Sequence, residues 1–101
     1  MLKLSHPLDL DAVARFCREN RISRLAAFGS VLRDDFTDAS DIDLLVEFEP
    51  GARVGLLDLA RMELELEALF GRRVDLNTRG FLSDYFADEV MREAVPIYVA
   101  A

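Results

Sequence analysis

Two acidic residues, Asp41 and Asp43, interrupt the otherwise apolar segment DIDLLVEF. A carboxylate that leaves water must be paired with a cation or bind a metal ion, so acids in a half-buried strand need a reason. Side chains two residues apart on a strand project from the same face, about 6.5 Å from each other. Carboxylates at this spacing can hold divalent cations between them, as in sites that transfer phosphoryl groups.

A Gly-Ser pair, Gly29 and Ser30, ends the preceding apolar run, and ten residues separate it from Asp41. A strand that ends in glycine and enters a helical turn presents free backbone N–H groups, which bind phosphate. Ser30 adds a hydroxyl donor, and Arg33 lies on the same side of such a turn and could pair with a phosphate. A third carboxylate, Asp75, alternates with apolar residues in a later segment and is the candidate to complete a metal site.

Hydrophobic periodicity predicts the elements that position these residues. Helices are predicted over 9–19, 56–70 and 82–94, and strands over 22–28, 41–48 and 73–77, with Ile97 to Val99 as either an edge strand or a docked tail. Leu10, Val13, Ala14 and Cys17 form the predicted apolar stripe of the first helix. The predicted fold class is α/β, a small mixed sheet with helices packed on one face and the three aspartates on the other.

Length and composition restrict the function further. The chain has 101 residues and is 51% apolar, which predicts a single domain over 1–101 with one modest core. No apolar run reaches the ~20 residues of a membrane span, and the single Cys17 excludes an internal disulfide, which favours a cytoplasmic location. A net charge of −7 makes direct nucleic-acid binding unfavourable and suits divalent cations or a basic partner.

The Gly-Ser pair followed at this spacing by Asp-Ile-Asp resembles the signature of the polymerase-β-like nucleotidyltransferase superfamily. The absence of finger, thumb or second substrate domains resembles its smallest branch, the minimal nucleotidyltransferases (MNT). The likeness covers most of the chain, namely FGSVLR, SDIDLLVEFEPG, LEALFGRRVDL and DEVMREAVPIY.

The resemblance implies a Mg²⁺-dependent transfer of AMP from ATP to a hydroxyl, with two ions expected. Family members often pair with a HEPN-domain ribonuclease toxin, and there the MNT protein is an antitoxin that adds AMP to a toxin tyrosine. Gly29 and Ser30 would then hold the triphosphate, and Asp41 and Asp43 would bind Mg²⁺. Asp75 would bind one metal and help to deprotonate the acceptor hydroxyl.

Arg33 matches the basic residue usual after Gly-Ser, but Asp34 and Asp35 follow where many members have glycine. Added negative charge there would alter nucleotide affinity or face a basic partner. Arg33 could equally form a surface ion pair with a neighbouring acid. Glu47 shares the acidic face and is expected to be solvated.

An alternative function is an antitoxin that neutralises its partner by occlusion, with a vestigial or regulatory nucleotide site. The complete set of three carboxylates favours the enzyme. A small-molecule resistance transferase shares the signature but normally needs a further domain. A sheet this small leaves one face open, so a partner chain or a homodimer is expected to close the cleft.

Overall fold

The computed structural model describes residues 8–29, 41–78 and 84–100, with side chains in the last helix described from residue 88 onward. The predicted nucleotide-binding residues Ser30 and Arg33 lie outside these ranges. In chain order the elements are α1 (Leu10–Glu19), β1 (Ile22–Phe28), β2 (Ile42–Phe48), α2 (Leu56–Phe70), β3 (Val74–Thr78), α3 (Asp84–Glu93) and β4 (Val95–Val99). The mixed α/β fold predicted from the sequence is therefore confirmed.

The four strands form one sheet in the order β3-β2-β1-β4. β1 runs antiparallel to β2 and β4, while β2 and β3 are parallel and are joined through α2. Among the two alternatives for the C-terminal segment, the structure shows an edge strand. Pro96 is tolerated there because an edge strand has one side on which no backbone donor is needed.

Helices α1 and α2 pack on one face of the sheet and form the larger core with it. Ile42, Leu44 and Val46 alternate along β2 and point into this core, where they meet Leu66 and Phe70 of α2. Each such side chain, once fully buried, contributes about 1.5–3 kcal/mol. Of the stripe predicted for α1, Val13 and Cys17 are buried, as predicted.

The prediction that Leu10 is buried is wrong, because its side chain is 59% exposed. Phe16 fills the core in its place, three residues after Val13 and so on the same side of α1. Burial raises the pKa of the Cys17 thiol to about 12, because desolvation disfavours the thiolate. Cys17 is therefore a neutral packing residue of the core.

The prediction that all helices lie on one face needs a correction for α3. Val90 of α3 packs with Phe28 and Leu45, which point away from the larger core. Phe28 pairs with Asp43 across the β1–β2 ladder, so α3 covers the face that carries the acids. The reason is that Phe28 and Leu45 are too apolar to be left in water at the centre of that face.

In the part of the chain that is described, every helix is too short or too polar to cross a bilayer.

Candidate active site

Three adjacent strands bring Gly29, Asp43 and Asp75 side by side. Asp43 pairs with Phe28 of β1 on one side and with Asp75 of β3 on the other. Paired residues on neighbouring strands have Cα atoms about 4.8 Å apart, and in-register side chains share a face. Asp41 is exposed and lies immediately before β2, two residues from Asp43 and therefore on the same side. The three predicted carboxylates thus lie near the start of β2 and β3, on one face of the sheet.

Gly29 lies directly against the carboxylate of Asp43. A Cβ atom built on Gly29 would overlap Oδ2 of Asp43 and lie 3.3 Å from its Cγ. Gly29 also has φ +75°, in the left-handed region that side chains with a Cβ disfavour. Only glycine meets both conditions, so the residue that follows β1 can lie in direct contact with Asp43 of the acidic strand.

Asn77 is a positioning residue that the sequence analysis did not single out. Its Nδ2 donates to the carbonyl oxygen of Asp75 at 3.1 Å and to that of Leu44 at 3.4 Å. The side chain therefore ties the backbone of β3 beside Asp75 to β2. The i+2 spacing of Asp75 and Asn77 on one strand face is the sequence signal that could have indicated this role.

Glu47 lies on the acidic face as predicted, but it is not simply solvated. Arg24 Nη1 lies 3.3 Å from Glu47 Oε2, and both side chains are partly buried. Since a neighbouring guanidinium pairs with this carboxylate, Glu47 is separated in role from the three aspartates at the start of β2 and β3.

Among known protein families, the family model of the nucleotidyltransferase domain matches residues 10–97, which is most of the chain. The chain belongs to the nucleotidyltransferase family. The classification as an enzyme of this family, predicted from the Gly-Ser and Asp-x-Asp residues, is thereby confirmed.

Two relatives support the assignment to this nucleotidyltransferase family. A protein of Methanocaldococcus jannaschii, provisionally named a protein adenylyltransferase, is 40% identical over 76 residues, or 75% of this chain and 80% of the relative. The protein adenylyltransferase MntA of Thermococcus cleftensis is 39% identical over 74 residues, which are 73% of each chain.

Solved structures share the nucleotidyltransferase fold. One provisionally described as a minimal nucleotidyltransferase is 42% identical, with a TM-score of 0.72 over 86% of this chain and 87% of the other. A toxin–antitoxin complex with AMP-PNP gives a TM-score of 0.73 at 18% identity, over 92% and 75% of the chains. A Shewanella oneidensis complex of a tri-AMPylated HEPN toxin with an MNT antitoxin gives 0.64 at 17% identity, over 90% and 70%.

The donor set of this nucleotidyltransferase fits a hard divalent cation. Carboxylate oxygens are what Mg²⁺ prefers, and the register places Asp43 and Asp75 on neighbouring strands with Asp41 next to them. Within residues 8–29, 41–78 and 84–100, no three acidic, histidine or cysteine side chains already converge at metal-binding distance. Side-chain rotation at the start of β2 and β3 would be needed to gather the three carboxylates.

Two clefts in the described part of the nucleotidyltransferase lie elsewhere. One of about 490 Å³ is lined by residues that include Arg21, Arg53 and Met62, and one of about 340 Å³ by residues that include Phe48 and Leu56. The three aspartates line neither cleft. The case for the active site therefore depends on the register and chemistry of its residues.

Proposed function

We propose that this chain is an antitoxin that transfers AMP from ATP, in the presence of Mg²⁺, to a hydroxyl of a HEPN-domain ribonuclease toxin, with a tyrosine as the acceptor. The single observation that carries the proposal is the row formed by Gly29, Asp43 and Asp75 on three adjacent strands. The relatives named as protein adenylyltransferases support the reaction. The solved complexes with AMP-PNP and with an AMPylated toxin support the nucleotide and the partner.

Each residue of the row has a part in this reaction. Asp41, Asp43 and Asp75 would hold Mg²⁺, for which two ions are expected. The turn that begins at Gly29 would approach the triphosphate with its backbone, and Ser30 and Arg33 stay predicted phosphate ligands. Asp75 is exposed, so an acceptor hydroxyl can reach it.

The chemistry is a displacement at the α-phosphorus of ATP. The acceptor oxygen forms a bond to that phosphorus, the bond to the bridging oxygen breaks, and pyrophosphate leaves. The hydroxyl proton passes to a carboxylate oxygen of Asp75. Bound Mg²⁺ supplies neutralisation of the charge that builds up on the phosphoryl oxygens. The protein contributes positioning, because a fixed sheet sets the distances between its carboxylates.

The test is the intact mass of a purified HEPN-domain protein encoded next to this chain, after incubation with the chain, MgCl₂ and each NTP separately. We expect a gain of one or more AMP units with ATP. Asp43→Asn and Asp75→Asn should each slow the gain by at least about 100-fold, because each removes a carboxylate that would hold Mg²⁺ at the transferring group. Glu47→Gln is the matched control, since Glu47 lies on the same strand face as Asp43 but pairs with Arg24.

Other outcomes would separate the alternatives. Full transfer by Asp43→Asn would contradict the role given to the carboxylates. Absence of any mass gain, together with a stable complex on a sizing column and neutralisation in cells by Asp41→Asn/Asp43→Asn, would establish the occluding antitoxin.

A further inference from the structure

The outer side of α2 carries a continuous apolar surface. Leu57 is 88% exposed and Leu64 is 68% exposed, and Ala60 and Ala68 are also exposed. Their spacing of three, four and four residues places them along one side of the helix, opposite the buried Met62 and Leu66. We call Leu57, Ala60, Leu64 and Ala68 the α2 surface.

The α2 surface continues into a cleft at the start of the helix. Leu56 is 73% exposed and also lines the cleft of about 340 Å³, together with Phe48, Val54 and Leu59. A partner side chain inserted there would bury apolar area against the lining of the cleft. Clustered large apolar side chains on a surface, next to a cleft, are typical of an interaction site.

Acidic side chains border this surface. Helix α2 carries four acids, Asp58, Glu63, Glu65 and Glu67, and one base, Arg61. Arg61 and Glu65 neutralise each other, with Nη1 and Oε2 2.8 Å apart, so Asp58, Glu63 and Glu67 leave the helix with a net charge of −3. An apolar strip with an acidic border is complementary to an apolar helix face that is flanked by lysine and arginine.

A second copy of the chain is a poor occupant for two reasons. Two chains of net charge −7 repel each other. Helix α2 has 15 residues. It would therefore offer a contact on the order of 200–300 Å², against about 800 Å² per partner in a stable interface. A larger, basic partner that extends beyond α2 satisfies both conditions.

We infer that the α2 surface docks a basic, amphipathic helix of the protein that this chain modifies, on the sheet face opposite the active site. This inference depends on the proposed function for the identity of the partner. Helix α2 packs on the larger core, while Asp43 lies on the same face as Phe28, on the other side of the sheet. Docking on α2 therefore does not cover the acids, and a stable complex is compatible with catalysis.

The experiment measures the binding of a purified HEPN-domain protein encoded next to this chain, by titration calorimetry. Leu57→Gln/Leu64→Gln should raise Kd at least about tenfold, or about 1.4 kcal/mol, because it removes the two most exposed apolar anchors of the α2 surface together. Glutamine keeps the net charge at −7, so a loss of affinity would report the loss of apolar contact. Leu10→Gln is the matched control, since Leu10 is 59% exposed on α1.

Two further measurements use the same proteins. In the transfer assay the Leu57→Gln/Leu64→Gln variant should raise KM for the partner and leave the rate at saturation within about twofold. Binding of the unaltered chain should weaken as NaCl is raised from about 0.05 to about 0.5 M, because the border charges are screened.

The outcomes are distinct. Unchanged Kd in Leu57→Gln/Leu64→Gln, with a circular dichroism spectrum like that of the unaltered chain, would overturn the α2 surface and leave the proposed function intact. A dimer of this chain alone that the same variant abolishes, seen by sedimentation, would also overturn it in favour of a second copy. Binding through α2 without AMP transfer would retain the inference and reject the proposed reaction. If the unaltered chain did not bind at all, both the inference and the proposed partner would be rejected.

Discussion

At the scale of single residues, Gly29 joins the end of β1 to Asp43 of β2. Replacement by alanine places a methyl group where Oδ2 of Asp43 lies, at a φ of +75° that alanine disfavours by about 1–2 kcal/mol. We expect Gly29→Ala to lower the free energy of unfolding by about 1–3 kcal/mol. Transfer should fall at least about tenfold, because the Asp43 carboxylate must move.

Gly51→Ala is a matched control for this prediction. Gly51 has φ +86°, and a Cβ atom there would meet nothing within 4 Å. The variant therefore carries the backbone strain without the contact. Urea unfolding and the mass assay on both variants separate the two effects, and equal transfer by the two variants would show that the contact with Asp43 does not matter.

At the scale of elements, α2 protects the free edge of β3. The backbone N–H of Val74 donates to Glu67 Oε2 at 3.1 Å, and that of Leu76 donates to Glu63 Oε2 at 3.0 Å. An unpaired strand edge is a template for pairing with another chain, and these carboxylates occupy its donors. The helix that supplies the core residues Met62 and Leu66 thus also closes the sheet.

We expect Glu63→Ala/Glu67→Ala to lower the free energy of unfolding by about 1–3 kcal/mol, because two partly buried N–H groups lose charged acceptors. The matched control is Glu65→Ala on the same helix. Glu65 forms an exposed pair with Arg61, worth about 0.3–0.5 kcal/mol. Urea unfolding would measure both, and a double variant no less stable than Glu65→Ala would show that water replaces the carboxylates.

The sequence was sufficient for the elements whose pattern is periodic. The strand 22–28 and the helix 56–70 agree residue by residue with β1 and α2, since each carries a regular apolar pattern and a terminating glycine. The side of the sheet on which α3 lies could not be predicted, because it depends on Phe28 and Leu45 needing cover. Periodicity within a helix gives its apolar side and says nothing of which sheet face receives it.

Part of the candidate site could likewise be predicted from the sequence, and part could not. The face shared by Asp43 and Asp75 follows from strand alternation, and their neighbouring position follows from the parallel pairing of β2 and β3. The contact of Gly29 with Asp43 could not be predicted, because it arises from the antiparallel register of β1 on β2. Register between strands is a long-range property that no local spacing contains.

At the scale of the whole molecule, self-repulsion from the net charge of −7 opposes compaction, whereas exposed ion pairs oppose unfolding. The pairs are weak, since Arg21 and Glu49 are 3.6 Å apart and largely exposed. We therefore expect the free energy of unfolding, measured with urea, to rise by about 0.5–1 kcal/mol between about 0.02 and about 0.3 M NaCl. Glu89→Gln/Glu93→Gln replaces two exposed acids of α3 and changes the net charge from −7 to −5. The free energy of unfolding of this variant should depend less on salt than that of the unaltered chain. A fall in stability with salt in both proteins would show that ion pairs outweigh the net repulsion.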